Sequence, residues 1–188
     1  MEKYILNQED FNKLLDYPKK LRHRLMLRLL YATGIRTKEL VTIKVKDVDT
    51  TNKTIRILDC KKKIYFTLPI DSETNKMLKE YMVSNLTQHI EYLFSNGNGG
   101  HVTTKSIQKC IRAWSKKLNY KDNWCPRFFR YRLARLWIIK KGSLTDLQSI
   151  LRHTQINTTF RYVEKIKFTS EIENLKREYN RIVSSDKI

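Results

Sequence analysis

Cysteine is scarce in this chain, and its spacing excludes the classes of protein that depend on it. The 188 residues contain three cysteines, Cys60, Cys110 and Cys125, and no Cys-x-x-Cys pair. An odd and scattered set predicts neither a disulfide framework nor a zinc site. The cysteines therefore fit a protein that stays in a reducing compartment.

Long apolar segments are absent as well. No apolar stretch follows Met1, and no run approaches the ~18 apolar residues that a membrane-spanning helix needs. The sequence therefore predicts no membrane partner. It predicts a cytoplasmic protein, or a nuclear one if its source has a nucleus.

Acidic residues are few relative to basic ones. Lys and Arg number 38 against 19 Asp and Glu, which gives a net charge of +19 that is spread along the whole chain. Such an excess predicts a polyanionic partner, in the first place a nucleic acid. Because 40% of the residues are hydrophobic, the composition favours a packed globule over a disordered basic arm. The length suffices for one well-cored domain.

Most of the chain has helical periodicity. Gly34 and Gly142 are predicted to end two of the helices. Between residues 54 and 69 the pattern alternates as in strands around a basic tip, which predicts a β-hairpin, and residues 90–94 could form a short strand. The predicted fold class is α+β, mainly α-helical with a small antiparallel β-sheet. The predicted helices cover approximately residues 7–17, 20–33, 37–43, 72–84, 104–118, 127–141, 145–152, 157–163 and 170–183.

Three short motifs contain the residues that could act on a phosphate ester. Residues 32–40 contain the pattern Thr-Gly-x-Arg-x-x-Glu-Leu around Arg36, and residues 126–134 contain Arg127 and Arg130. The third motif is Leu-x-His-x8-Tyr, which runs from Leu151 to Tyr162. Each motif alone is a weak signal, but the three in this order, with a basic hairpin between the first two, are specific. From residue 4 to residue 162 the chain resembles the catalytic domain of the tyrosine recombinase and integrase family.

The resemblance implies site-specific DNA recombination by strand cleavage and rejoining, with Tyr162 as the nucleophile. A tyrosyl-phosphate ester stores the bond energy, so no metal ion, ATP or other cofactor is implied. A phenol, with its ordinary pKa near ~10, attacks well only where positive charge favours the phenolate. Arg36 and Arg130 are the predicted clamp on the phosphate oxygens, because guanidinium groups make paired planar hydrogen bonds that lysine does not. His153 is predicted to donate a hydrogen bond to the same phosphate.

The resemblance also implies a lysine of the hairpin tip as the general acid for the leaving oxygen. The position relative to Pro69 favours Lys61, while Lys62 and Lys63 stay open because the family's usual Gly-Lys-Gly is absent. Arg127 stands where most members have histidine or lysine, and an arginine there can act only electrostatically. Glu39 either supports the guanidinium of Arg36 or forms a simple surface ion pair. The residues predicted to contact the DNA backbone are Lys62, Lys63, Arg132, Arg152 and Arg161.

The expected partner is double-stranded DNA, on which the family assembles as homo-oligomers, here a tetramer. Residues 1–167 are predicted to form the catalytic domain, and no N-terminal core-binding domain is expected in this chain. Residues 168–188 are predicted to form an amphipathic helix, which packs either on its own core or on a neighbouring protomer.

Two other functions are compatible with the sequence. A basic DNA-binding module, or a degenerate recombinase that binds without cutting, is left open by Arg127 and by the altered hairpin tip. A type IB topoisomerase shares the chemistry, but the Leu-x-His-x8-Tyr spacing favours a recombinase.

Overall fold

The computed structural model describes residues 8–59, 62–85, 90–120 and 124–164, together with Arg177. The predicted α+β class is confirmed, since helices dominate and a single small antiparallel sheet accompanies them in these ranges. None of the helices in the described ranges is long and apolar enough to cross a bilayer. The helices are α1 (Gln8–Asp16), α2 (Leu21–Thr33), α3 (Thr37–Val41), α4 (Ser72–Asn85), α5 (Thr104–Lys117), α6 (Pro126–Ile139), α7 (Leu144–Leu151) and α8 (Ile156–Glu164), with a 3₁₀ turn at Val45–Asp47. The strands are β1 (Val48–Asp49), β2 (Thr54–Asp59) and β3 (Ile64–Pro69).

The sheet confirms the predicted hairpin. Its strand order is β1-β2-β3, with antiparallel pairing of Ile57 with Phe66 and of Ile55 with Leu68. Ile55 and Ile57 are buried, because alternate side chains of β2 point into the core. Strand β1 was not predicted, since two residues are too few to produce a periodic signal.

The predicted strand at residues 90–94 is wrong. Tyr92 forms one isolated antiparallel bridge with Lys44, and a second isolated bridge, between Ser95 and His101, lies just beyond the segment. Leu93 is fully buried and donates its backbone N–H to the carbonyl of Ile43. The apolar residues in this segment therefore reflect burial, and the turn that begins at residue 96 ends the pairing before a ladder can form.

The end of α6 differs in detail from its prediction. Lys141, not Gly142, adopts the left-handed conformation, with φ of 56°. The N–H of Lys141 bonds the carbonyl of Ile138, and the N–H of Gly142 bonds that of Trp137 at 3.1 Å, which is the Schellman arrangement. Glycine is required at 142 for a steric reason, because a Cβ there would lie 2.1 Å from Nε1 of Trp137. Gly34, by contrast, ends α2 in the left-handed region as predicted.

The described residues divide into two compact units, each with its own hydrophobic core. The N-terminal unit comprises the described residues of 8–129, and its largest fully buried side chains include Trp124, Phe11 and Phe94. The C-terminal unit comprises residues 130–164 and Arg177, and its cluster includes Leu147 and Val163. Fully burying a side chain of this kind contributes roughly 1.5–3 kcal/mol. The boundary predicted at residues 167 and 168 lies outside the described residues, as does the predicted C-terminal helix.

Candidate active site

Tyr162 lies on α8, the helix that packs beside α7 in the C-terminal unit. Thr159 and Val163, four residues apart, are the buried residues of α8, and Tyr162 stands next to this stripe, half-buried. Its ring centroid is 4.6 Å from that of Tyr131 and 5.1 Å from that of His153. Within the part of the chain that the structure describes, the Tyr162 hydroxyl has no hydrogen-bond partner. The Tyr162 ring is held by contacts with the rings of Tyr131 and His153, and among the described residues its hydroxyl is not tied up in a hydrogen bond.

His153 lies in the turn between α7 and α8 and is fixed through both ring nitrogens. Nδ1 is 3.0 Å from the hydroxyl of Thr159, which is fully buried, and Nε2 is 3.5 Å from Nη2 of Arg130. Arginine can only donate, so this arrangement assigns the Nδ1–H tautomer, with Nδ1 donating to Thr159 and Nε2 accepting. The structure therefore brings His153 together with both Arg130 and Tyr162.

Arg130 is a buried residue, with 5% of its surface exposed. Its Nη2 donates to the carbonyl of Leu151 at 2.7 Å. Leu151 is the last residue of α7, where the helix dipole concentrates negative charge and favours a cation. Arg130 is therefore not an ordinary surface charge, because a guanidinium is buried only where partners compensate for lost hydration.

Arg152, one of the residues predicted to contact DNA, is a buried residue of the C-terminal unit. It is 5% exposed, and its Nη1 donates to the carbonyl of Ile150 at 3.2 Å. Its φ of 54° is left-handed, and it caps the C-terminus of α7. The predicted contact of Arg152 with the DNA backbone stays a prediction, since Arg130, which is proposed to act on a DNA phosphate, is buried to the same extent.

Arg36 caps the start of α3 in the N-terminal unit. Its Nη1 donates to Glu39 Oε1 at 2.6 Å and to Asp59 Oδ2 at 3.3 Å, and its backbone N–H donates to Glu39 Oε2 at 2.8 Å. Glu39 is only 2% exposed. The prediction that Glu39 supports the Arg36 guanidinium is confirmed, and the surface ion pair is wrong.

The described part of the hairpin tip is exposed and basic. Lys62 and Lys63 are both exposed, as is Arg127 in the first turn of α6. Lys61, the favoured general acid, lies outside the described residues together with Cys60. Its assignment stays a prediction.

Asp59 was not among the predicted site residues, because an aspartate at a strand end is an ordinary turn residue. Its burial could be known only from the fold. It is 3% exposed and accepts the Lys62 backbone N–H at Oδ1, 3.1 Å away.

A basic stripe on α5 was also missed. Lys105, Lys109, Arg112 and Lys116 recur at intervals of four, three and four residues, and all four are exposed. This spacing places them on one helical face, while the buried Ile107 belongs to the other. The signal was present in the sequence, since α5 contains basic but no acidic residues.

The N-terminal unit also contains a cavity of about 460 Å³ that involves none of the candidate site residues. It lies between α2 and α5 and is lined by Leu27, Ile107 and His23 among others. Burial lowers the pKa of His23 from its ordinary value, and the nearby charges of Arg22 and Lys20 act in the same direction. The cavity is therefore separate from the predicted chemistry.

Comparison with known proteins gives a consistent result. The model of the phage integrase family matches residues 5–167. The tyrosine recombinase XerC of Staphylococcus saprophyticus is 31% identical over 150 residues, which cover 78% of this chain and 50% of that protein. A probable integrase/recombinase of Acholeplasma phage L2 is 31% identical over 164 residues, covering 83% of this chain and 56% of that protein. The chain thus spans about half the length of these relatives.

Solved structures show that the fold is shared. The crystal structure of XerA recombinase matches with a TM-score of 0.77 at 22% identity, covering 95% of this chain and 66% of that chain. The XerH site-specific recombinase, bound to a palindromic difH substrate in a post-cleavage complex, matches with a TM-score of 0.73 at 24% identity. The match covers 89% of this chain and 51% of the XerH chain. With the family model matched over nearly the whole sequence, the resemblance drawn from the three motifs is confirmed, and the chain belongs to the phage integrase family.

Proposed function

We propose that this chain is the catalytic portion of a site-specific DNA recombinase that cuts and rejoins strands through Tyr162. The observation that carries the proposal is the grouping of Tyr162, His153 and Arg130 in one compact unit. A nucleophile, a phosphate-binding imidazole and a buried guanidinium are the parts that phosphoryl transfer to a phenol requires. The names of the relatives support it, since XerC is a tyrosine recombinase and the XerH structure contains its substrate.

In the proposed reaction, Tyr162 loses its phenolic proton to solvent, and its Oη attacks the phosphorus of a DNA phosphodiester. The bond from phosphorus to the 5′ oxygen breaks, and that oxygen leaves with a proton from the hairpin, with Lys61 as the candidate donor. The product is a 3′-phosphotyrosine and a free 5′ hydroxyl. Attack of a 5′ hydroxyl from another strand reverses the step, so one ester replaces another at each stage and no external energy source is needed.

Arg130 and His153 have separate roles in this scheme. The Arg130 guanidinium is held by the end of α7 and can therefore stabilise the charge that develops on the phosphate without reorganising. An anionic oxygen beside His153 favours the protonated imidazole, in which both nitrogens donate. Arg36 enters the proposal through the sequence pattern, as the second arginine of the clamp.

DNA binding would depend on the exposed basic residues. Lys62, Lys63 and Arg161 remain candidates for backbone contacts, as does the half-buried Arg132. To these we add the basic stripe of α5. Contacts of this kind release counterions from DNA, so binding should weaken steeply as salt rises. Assembly of a tetramer on DNA belongs to the same proposal.

The test is covalent capture on DNA. The full chain is incubated with a library of nicked duplexes of randomised sequence, and protein that remains attached to DNA after denaturation is isolated and its DNA sequenced. We expect an adduct that Tyr162→Phe abolishes. Tyr131→Phe is the matched control, since its ring lies 4.6 Å from that of Tyr162, and it should retain the adduct.

The other outcomes identify the alternatives. Retention of DNA without any adduct would favour the binding module or the degenerate recombinase. Relaxation of supercoiled plasmid without sequence preference would favour the topoisomerase. An adduct that survives Tyr162→Phe would refute the assigned nucleophile.

A further inference from the structure

We propose that Asp59 is a positioning residue that connects the candidate clamp arginine, Arg36, to the lysine-bearing tip of the β2–β3 hairpin. This inference rests on the proposed function. It adds a residue that none of the three motifs contains. All of the groups that it uses belong to the N-terminal unit.

The geometry shows one buried carboxylate with its two oxygens directed to different partners. Oδ2 of Asp59 accepts from Nη1 of Arg36 at 3.3 Å, and Oδ1 accepts the backbone N–H of Lys62 at 3.1 Å. The main-chain carbonyl of Asp59 accepts from the N–H of Lys63 at 2.8 Å. One residue therefore bonds both the guanidinium and the tip of the hairpin.

The backbone of Asp59 is itself held in place. It is the last residue of β2, it pairs with Ile64 across the hairpin, and it follows the buried Ile57 by two residues. Residues on a strand with a fixed register make a more rigid support than residues on a loop. A displacement of the tip would thus be resisted by the sheet.

The Asp59 carboxylate is buried, so its partners matter for the stability of the fold. A carboxylate that is 3% exposed is destabilising unless charged partners and hydrogen bonds compensate. Glu39 already pairs with Arg36 at 2.6 Å, so neutralising that guanidinium does not require a second acid. What Asp59 adds beyond Glu39 is the link to Lys62.

The alternative is a purely structural role, in which Asp59 only caps the backbone of the turn. Asp59→Asn separates the two readings, because an asparagine oxygen can still accept the Lys62 N–H while its NH₂ group cannot accept from Arg36. Asp59→Ala removes both links. The pair of variants therefore tests each link by itself.

Asp47→Asn is the matched control. Asp47 is 6% exposed, and its Oδ1 accepts from Nη2 of Arg56 at 2.7 Å and from Nε at 3.1 Å. It is a buried acid paired with an arginine beside the same strand, but it bonds neither Arg36 nor the hairpin tip. The control should lose comparable stability and keep its cleavage rate.

The experiment measures the single-turnover rate of adduct formation on two nicked duplexes, one ordinary and one with sulfur as the 5′ bridging atom. A thiolate leaves without a proton, so the sulfur substrate does not need the hairpin lysine. We expect Asp59→Asn to slow both substrates by ~10–100-fold, the range seen when a partner that orients a metal ligand is removed. The further loss in Asp59→Ala should appear on the oxygen substrate only.

Two results would overturn the inference. One is a cleavage rate for Asp59→Asn equal to that of Asp47→Asn. The other is an extra loss of cleavage rate in Asp59→Ala that persists with the sulfur substrate. That result would show that Asp59 does not act through the hairpin tip.

A wild-type chain that forms no adduct on either substrate would instead refute the proposed function. In that case the contacts of Asp59 with Arg36 and Lys62 are tested by NMR. Asp59→Asn should mobilise the Arg36 side chain and leave the Lys62 amide protected from exchange, whereas Asp59→Ala should release both. Unchanged Arg36 dynamics in Asp59→Asn would refute the inference without reference to cleavage.

Discussion

Replacement of Arg130 by lysine gives the sharpest test of the C-terminal unit. The change keeps the positive charge and removes the planar guanidinium, whose Nη2 bonds Leu151 at 2.7 Å and lies 3.5 Å from His153. A buried carbonyl left without its donor costs about 1–3 kcal/mol of folding free energy. Loss of one preorganised donor from a transition state costs ~10²–10³ in rate, or about 2.7–4 kcal/mol. We therefore expect a folded but weakened protein whose cleavage is slowed by at least ~100-fold.

The assay is single-turnover adduct formation on the nicked duplex recovered by covalent capture, with thermal unfolding measured on the same preparation. Arg135→Lys is the control, since Arg135 is half-buried on the same helix and has no assigned role. It should cleave at nearly the wild-type rate. If Arg130→Lys is folded and cleaves within ~3-fold of wild type, positive charge alone suffices, and the argument from guanidinium geometry is refuted.

Three further predictions concern separate features. Gly142→Ala should destabilise the fold by ~1–3 kcal/mol through the contact with Trp137, and the same change in a Trp137→Leu background should be nearly neutral in denaturant unfolding; equal losses in both backgrounds would contradict the steric argument. Thr159→Val should cost about 1 kcal/mol of stability and slow adduct formation, because it removes the partner of His153 Nδ1; an unchanged rate would show that this bond does not orient the ring. Lys109→Ala should lower the slope of log Kd against log salt by ~1 in a titration with duplex DNA, and an unchanged slope would remove α5 from the proposed DNA interface.

Local sequence signals predicted the elements well. Apolar residues at helical spacing predicted α1, and Phe11 and Leu14 of that helix are fully buried. Alternation predicted β2 and β3, and Gly34 predicted the end of α2. These features depend on neighbours within a few residues, which is why the sequence shows them. The strand predicted at residues 90–94 was wrong because backbone pairing is not a local property. Apolar side chains indicate burial without specifying which backbone partner they meet.

The sequence by itself determined which chemical groups this protein has and in what order, and that was enough to identify the family. Only the tertiary structure decided which of those groups are buried and what they contact. Arg152 and Arg161 are both arginines of the third motif, yet one is buried at the end of α7 and the other is exposed. Asp59 looked like a turn residue, and the fold places its carboxylate against Arg36, 23 positions away in sequence. Burial of a charge depends on partners that are distant along the chain, and composition and spacing do not record those partners.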